Sequence, residues 1–379
     1  MNFEQTDEQR ALQDSLSRSL RSRYSFEQRR AYAASEAGHD PKTWAHLAEM
    51  GIVGLLMAEE NGGMGGRVED LMPAMEEMGA ALSLEPVLAG VLAATALAGA
   101  ASPAQCDRLL PDVAAGRRVL AWAHGEPEGR HAAWWVETKA HREGQAWVLD
   151  GVKSPVLNAP QAGAYVVSAR IEGAPADRHG CGLFLVEADA PGVHVRPFRL
   201  VDDQMAGEIV LTGAPGEPLG DVLDGLRAAQ AVERAQGVGI AALCADMVGA
   251  MQAAYRLAAD YLNTRQQFGR AIGQNQALRH RAAEMLVSLE MAKSMSMAAA
   301  AAMDNPDAAE AARDVHRAKL SVARHARQLA QSAIQIHGGI GMTEEYAVGH
   351  YLRRIHVMDQ LLGDAGAHAA RLAGLLAAA

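Results

Sequence analysis

The residues that first suggest chemistry follow a long helical run. They read Gln335-Ile336-His337-Gly338-Gly339-Ile340-Gly341. Adjacent glycines let the backbone turn sharply and let a flat or anionic group approach exposed N–H groups. The same residues also make an ordinary helix stop. A second glycine-rich stretch, Ala58–Gly66, lies between helical segments and lacks a Lys-Ser/Thr ending, so it reads as a turn. Cys106, Cys181 and Cys244 are far apart, share no metal spacing and read as core residues. His316, His325, His337, His350 and His356 sit on helical segments without a paired carboxylate pattern. No metal site is expected, and these histidines are expected to face solvent or subunit contacts. The glycine turn gains meaning only beside Ala259–Gln276.

The elements that must position these residues fall into three segments, 1–117, 118–221 and 222–379. In the first, Thr6 precedes acids and then Leu12, Leu16 and Leu20 at helical spacing. Further helices are predicted over Lys42–Met50, Val68–Ala81, Glu85–Ala98 and Pro103–Ala115. From Arg118 the pattern changes to short β-type runs: Val119–Ala123, Trp134–Thr138, Ala146–Leu149, Ala164–Ser168, Gly182–Val186 and Glu208–Leu211. Asp150-Gly151 reads as a hairpin turn, and the segment as an antiparallel β-domain. From Val222 the helical pattern resumes over Ala228–Thr264, Gln276–Met303, Ala308–His337, Glu344–Leu361 and Ala365–Ala378. Long alanine-rich helices with short links predict a C-terminal four-helix bundle. The fold class is α+β: helical domain, β-domain, bundle.

Composition narrows the function classes. The 379 residues exceed one ordinary core, and the net charge of −10 offers nothing to a nucleic acid backbone. The N-terminus has no basic region followed by an apolar run, and no stretch reads as long and apolar enough to span a bilayer. A cytoplasmic protein is expected.

Tyr261-Leu262-Asn263-Thr264-Arg265-Gln266-Gln267-Phe268-Gly269-Arg270-Ala271-Ile272, ending at Gln276, resembles the signature of the acyl-CoA dehydrogenases. Gln335–Gly341 resembles their glycine turn, Glu126-Pro127 their Thr-Glu-Pro loop, and Leu149–Lys153 the approach to their flavin-facing strand. Glu59–Gly65 resembles the turn of their N-terminal domain. The resemblance covers nearly the whole chain. It implies an FAD enzyme that desaturates an acyl-CoA thioester between the α and β carbons, with electron-transfer flavoprotein or a similar acceptor. A homo- or hetero-tetramer is implied as well. Carried over by position, Ala123, His124, Gly125, Pro155 and Leu157 meet the flavin ring. Arg265, Phe268, Gln276, Gln335, Gly338 and Gly339 hold the pyrophosphate and adenosine part across a subunit contact.

The chain also departs from this pattern. Where the family places its glutamate base stands Leu362, and Asp364 stands two residues on, within Leu361-Leu362-Gly363-Asp364. The other position used for a base falls near Gly239 and Ile240, and neither takes a proton. Glu128 replaces a serine after Glu-Pro, and Pro155 and Leu157 replace a Trp and a Thr. Either Asp364, Asp359 or Asp246 has taken over as base, or a sister subunit supplies it. Leu362–His368 resembles the small subunits of hetero-oligomeric members, including pimeloyl-CoA dehydrogenase. A dicarboxylyl-CoA such as pimeloyl-CoA is the substrate this resemblance implies. A self-sufficient enzyme and a non-catalytic scaffold are the other two readings.

Overall fold

The computed structural model describes residues 5–377. They form helices α1 (Asp7–Arg23), α2 (Phe26–Ala34), α3 (Pro41–Glu49), α4 (Val68–Ala81), α5 (Val87–Ala100) and α6 (Pro103–Ala114). Strands β1 (Leu120–Ala123), β2 (Lys139–Glu143), β3 (Ala146–Leu157), β4 (Ala164–Arg170), β5 (Cys181–Glu187), β6 (Val193–Arg199) and β7 (Met205–Pro218) follow. Helix α7 (Gly225–Thr264), the short hairpin β8 (Gln266–Gln267) and β9 (Arg270–Ala271), and helices α8 (Gln276–Ala302), α9 (Ala308–His337), α10 (Val348–Gln360) and α11 (Ala365–Ala377) complete the chain. The α+β class expected from sequence is the one observed. Helix α2 was absent from the sequence reading.

Two compact units result. One holds the chain up to Ala31, Val68–Ser83 and everything from Ile240 onward; the other holds Tyr32–Arg67 and Leu84–Gly239.

Helix starts follow local chemistry. Thr6 and Gln9 exchange hydrogen bonds in a capping box, as do Ser102 and Gln105, while Asp40 and Asp307 cap α3 and α9. In the unit containing α4 and most of α7, backbone meets backbone. A Cβ on Gly79 would lie 2.0 Å from the Asp246 carbonyl oxygen, and one on Gly249 would lie 1.8 Å from that of Glu76. Only glycine permits this crossing.

In the other unit the strands run β4-β2-β3-β7-β5, and β5 pairs again with β4 to close a barrel; β1 adds to β4, and β6 to β7. Trp147, Leu149, Tyr165, Phe184 and Ile209 fill its interior. Three sequence expectations change here. The domain is not wholly antiparallel, because β1 runs parallel to β4. Trp134–Thr138 forms no strand. Its Glu137 and Thr138 N–H groups donate to the Glu126 carboxylate instead of a ladder. Asp150-Gly151 is no hairpin turn. Strand β3 runs straight through it with a bulge, and the turn is Gly144-Gln145. Gly151 is required there because a Cβ would lie 2.6 Å from the Thr138 Cα.

Helix α7 also alters an expectation. Among the described residues it alone is long and apolar enough to cross a bilayer by length and composition. Its most apolar stretch is 89% buried within the protein, so it is a core helix. Cys181 and Cys244 are buried as expected, whereas Cys106 is only half-buried.

Candidate functional site

The sequence-derived site residues fall into two groups, one in each compact unit. In the β-unit, strand β1 delivers Ala123, His124 and Gly125. The Ser154 N–H donates to the Gly125 carbonyl at 2.9 Å, which sets that loop beside Pro155 and Leu157 of β3. Gly125 and Pro155 are exposed and Leu157 is half-buried. Ala123 is buried, and the His124 side chain turns inward. Its ring stacks on Trp122 at 5.3 Å, and its Nε2 lies 2.9 Å from the Ala133 carbonyl. A carbonyl only accepts, so Nε2 carries the proton and the Ser168 hydroxyl donates to Nδ1 at 2.9 Å. Burial, then the Lys153 charge, push the ring down to about 4, so it is neutral at pH 7.

Below this loop lies a cluster that sequence reasoning missed. Lys153, fully buried, donates to Glu126 at 2.7 Å, to Ser168 at 3.1 Å and to the His124 carbonyl at 3.2 Å. Burial would raise the Glu126 carboxyl. Lys153 and the N–H groups of Glu137 and Thr138 outweigh it and hold the group below its usual range. The Glu126-Pro127 and Leu149–Lys153 motifs are thus two ends of one ion pair, which ties the 123–126 loop to β3.

In the helical unit, the end of α7 meets the end of α9. Tyr261 packs on His337 at 4.5 Å, and His337 on Tyr346 at 4.9 Å. This brings the Ala259–Gln276 stretch to the glycine turn. His337 and His350 are buried, contrary to the expectation that they face solvent or subunit contacts; His350 packs on Phe26. Gly338 ends α9 with φ 63°, and nothing lies within 4 Å of where a Cβ on Gly338 or Gly339 would sit. Arg265, Gln276 and Gln335 are exposed, and Phe268 is 100% exposed. Among the described residues, none of the Arg265, Gln276 or Gln335 side chains has a hydrogen-bond or ion-pair partner. From Asn263 to Arg281 there are four arginines and no acid. Open backbone at a glycine turn, uncommitted donors and a cationic hairpin suit a dinucleotide diphosphate. These residues therefore fit FAD.

The acid–base position is built differently. Leu362 is half-buried in the α10–α11 junction, with φ 58°. Asp364 caps α11, accepting from the Ala367 N–H at 2.7 Å. Asp359 is held by Arg327 at 2.6 Å and by the Ala365 N–H. Asp246 is held by Arg354 through both oxygens, at 2.9 and 2.6 Å, with both side chains buried. Gly239 and Ile240 are both buried. Beneath the junction sits the fully buried Lys319, also missed. Its signal was readable: it shares the helical stripe of Val315, Ala318, Val322 and Ala326, where a charge is out of place.

Residues 6–117, 121–213 and 229–374 match, in that order, the family descriptions "Acyl-CoA dehydrogenase, N-terminal domain", "middle domain" and "C-terminal domain". The chain is 31% identical to acyl-CoA dehydrogenase FadE12 of Mycobacterium tuberculosis over 324 residues, covering 82% of this chain and 81% of the other. The fold superposes on a Tcur3481–Tcur3483 steroid ACAD G363A variant with a TM-score of 0.87 at 29% identity, covering 98% of both chains. It superposes on a chain of the ChsE4–ChsE5 complex of Mycobacterium tuberculosis with a TM-score of 0.87 at 25% identity, covering 100% of both. With its three segments matched in order, this chain belongs to the acyl-CoA dehydrogenase family of FAD-dependent oxidoreductases.

Proposed function

We propose that this chain is the subunit of a hetero-oligomeric acyl-CoA dehydrogenase that does not carry the base. The observation behind this reading is the state of the nearby acids. Leu362 occupies the base position, and Asp246, Asp359 and Asp364 are each already bound to an arginine or a helix N-terminus. Freeing any of them means breaking a contact that the fold uses. A sister subunit then removes the α-proton of the acyl-CoA thioester. The likeness to a chain of the ChsE4–ChsE5 complex supports a two-chain assembly.

FAD supplies the hydride acceptor when bound. Arg265, Gln276, Gln335 and Phe268, with the Gly338-Gly339 turn, would hold its diphosphate and adenosine part across a subunit contact. The Ala123–Gly125 loop and Pro155–Leu157, held in register by the Lys153–Glu126 pair, would line the ring. The division at 117 and 221, a tetrameric assembly, a cytoplasmic location, and an electron-transfer flavoprotein or similar acceptor belong to the same reading. A dicarboxylyl-CoA such as pimeloyl-CoA is the substrate class, and degradation of fatty acyl chains the role.

Co-expression with the product of a neighbouring acyl-CoA dehydrogenase gene tests this. The expected result is a yellow complex whose flavin bleaches with an acyl-CoA, from a chain that alone does not bleach. Bleaching by the isolated chain, abolished by Asp364→Asn, would overturn it. Arg265→Ala and Phe268→Ala should lower FAD retention while leaving the melting temperature of the flavin-free chain unchanged.

A further inference from the structure

We propose that Lys319 is a positioning residue that pins the α10–α11 junction through four backbone carbonyls and so holds Leu362 in its left-handed conformation. The Lys319 Nζ lies 2.8 Å from the Met358 oxygen, 3.0 Å from that of Asp359, 2.9 Å from that of Leu361 and 3.1 Å from that of Gly363. The first two are carbonyls that α10 leaves unpaired in its last turn, where a cation is favoured. The other two belong to the non-helical junction on either side of Leu362. Three N–H donors thus serve four acceptors, all of them neutral. Arg371 approaches the Leu362 carbonyl at 3.5 Å, and a Cβ on Gly363 would meet the His368 and Arg371 side chains at 3.1 and 3.2 Å.

A leucine with φ 58° is strained, and such a residue persists only where its surroundings over-determine it. Here the surroundings are Lys319 from below, the Asp364 cap, and the Asp359 bond to the Ala365 N–H. The junction is therefore a built element. That it lies at the acid–base position rests on the family reading; that Lys319 pins it does not.

The groups acting on Lys319 are Cys244 from α7, Asp359 from α10, Asp364 from the junction, and His368 and Arg371 from α11, with His316 behind His368. His316 and His368 share a hydrogen bond at 3.0 Å, and burial lowers both. Neither therefore adds charge near neutral pH. Burial lowers the Lys319 ammonium to about 8, so its charge is present at pH 7 and lost as the pH rises further.

Hydrogen–deuterium exchange of the full-length FAD-loaded chain tests this without substrate, partner or turnover. Lys319→Met should speed exchange of the 361–367 amides at least tenfold at pH 7, with the β4 amides unchanged. Lys319→Gln, which offers at most two N–H donors to the four carbonyls, should speed it severalfold. Unchanged protection of 361–367 in a folded Lys319→Met protein would overturn the proposal. If that variant does not fold, unchanged protection of 361–367 in a folded Lys319→Gln protein would overturn it.

Discussion

Each compact unit of this protein buries a lysine, and the two are kept in opposite ways. Lys153 in the β-unit meets a carboxylate, Glu126, at 2.7 Å. Lys319 in the helical unit meets only carbonyl dipoles within hydrogen-bonding distance, at 2.8–3.1 Å. An ion pair fixes two points of the chain to each other, whichever backbone surrounds them. A carbonyl cage fixes one stretch of backbone in one shape. The first arrangement suits a loop that must stay against a strand. The second suits a strained junction. The energetic consequences differ too, because removing one member of a buried pair leaves an uncompensated charge, whereas removing Lys319 removes the charge as well.

The contrast can be broken first at Glu126. Glu126→Ala strands the Lys153 ammonium and should cost about 3–5 kcal/mol in chemical unfolding at pH 7. A loss below about 1 kcal/mol would mean that the His124 carbonyl and the Ser168 hydroxyl hold the Lys153 charge alone, and the two lysines would then be alike. Acid gives the next largest effect. His124 sits near 4 when folded, against 6.5 in an unfolded chain. Between those values the unfolded state binds more protons, so stability falls as the pH falls, by about 3 kcal/mol in total. His124→Gln should flatten that slope in unfolding curves taken from pH 7 to pH 4.

Lys319→Met should cost less, on the order of 2 kcal/mol, for carbonyls left without donors. Its sign with pH is the same as the histidine's, in a higher window. The unfolded chain holds the lysine proton to higher pH, so stability rises from about pH 8 upward as the folded state sheds it. The methionine variant should lack that rise in thermal melts. The smallest effect belongs to Leu362→Gly. Relief of the left-handed strain should offset the lost apolar contact and leave stability within about 1 kcal/mol. A larger loss would show that leucine packing, rather than backbone shape, holds the junction.

Much of this molecule could be read from local pattern. Thr6 marked a helix start because capping is satisfied within three or four residues. The run Val68–Ala81 was legible to the residue, since its apolar spacing needs no distant partner. The two dinucleotide-like motifs were legible as residue types. What failed was whatever depended on a distant partner. Trp134–Thr138 has strand composition, yet its N–H groups were claimed by Glu126. Asp150-Gly151 has turn composition, yet β7 paired across it. His337 and His350 looked like surface residues because their aromatic neighbours are remote in sequence.

The sequence by itself determined the family, the order of helical and β segments, and the absence of a glutamate at position 362. These are properties of single residues and short spacings. Only the tertiary structure decided that Asp246, Asp359 and Asp364 are all engaged, and that Lys319 pins the junction from beneath. Partners for a buried charge come from wherever the chain returns in space, and distance along the sequence carries no record of that return.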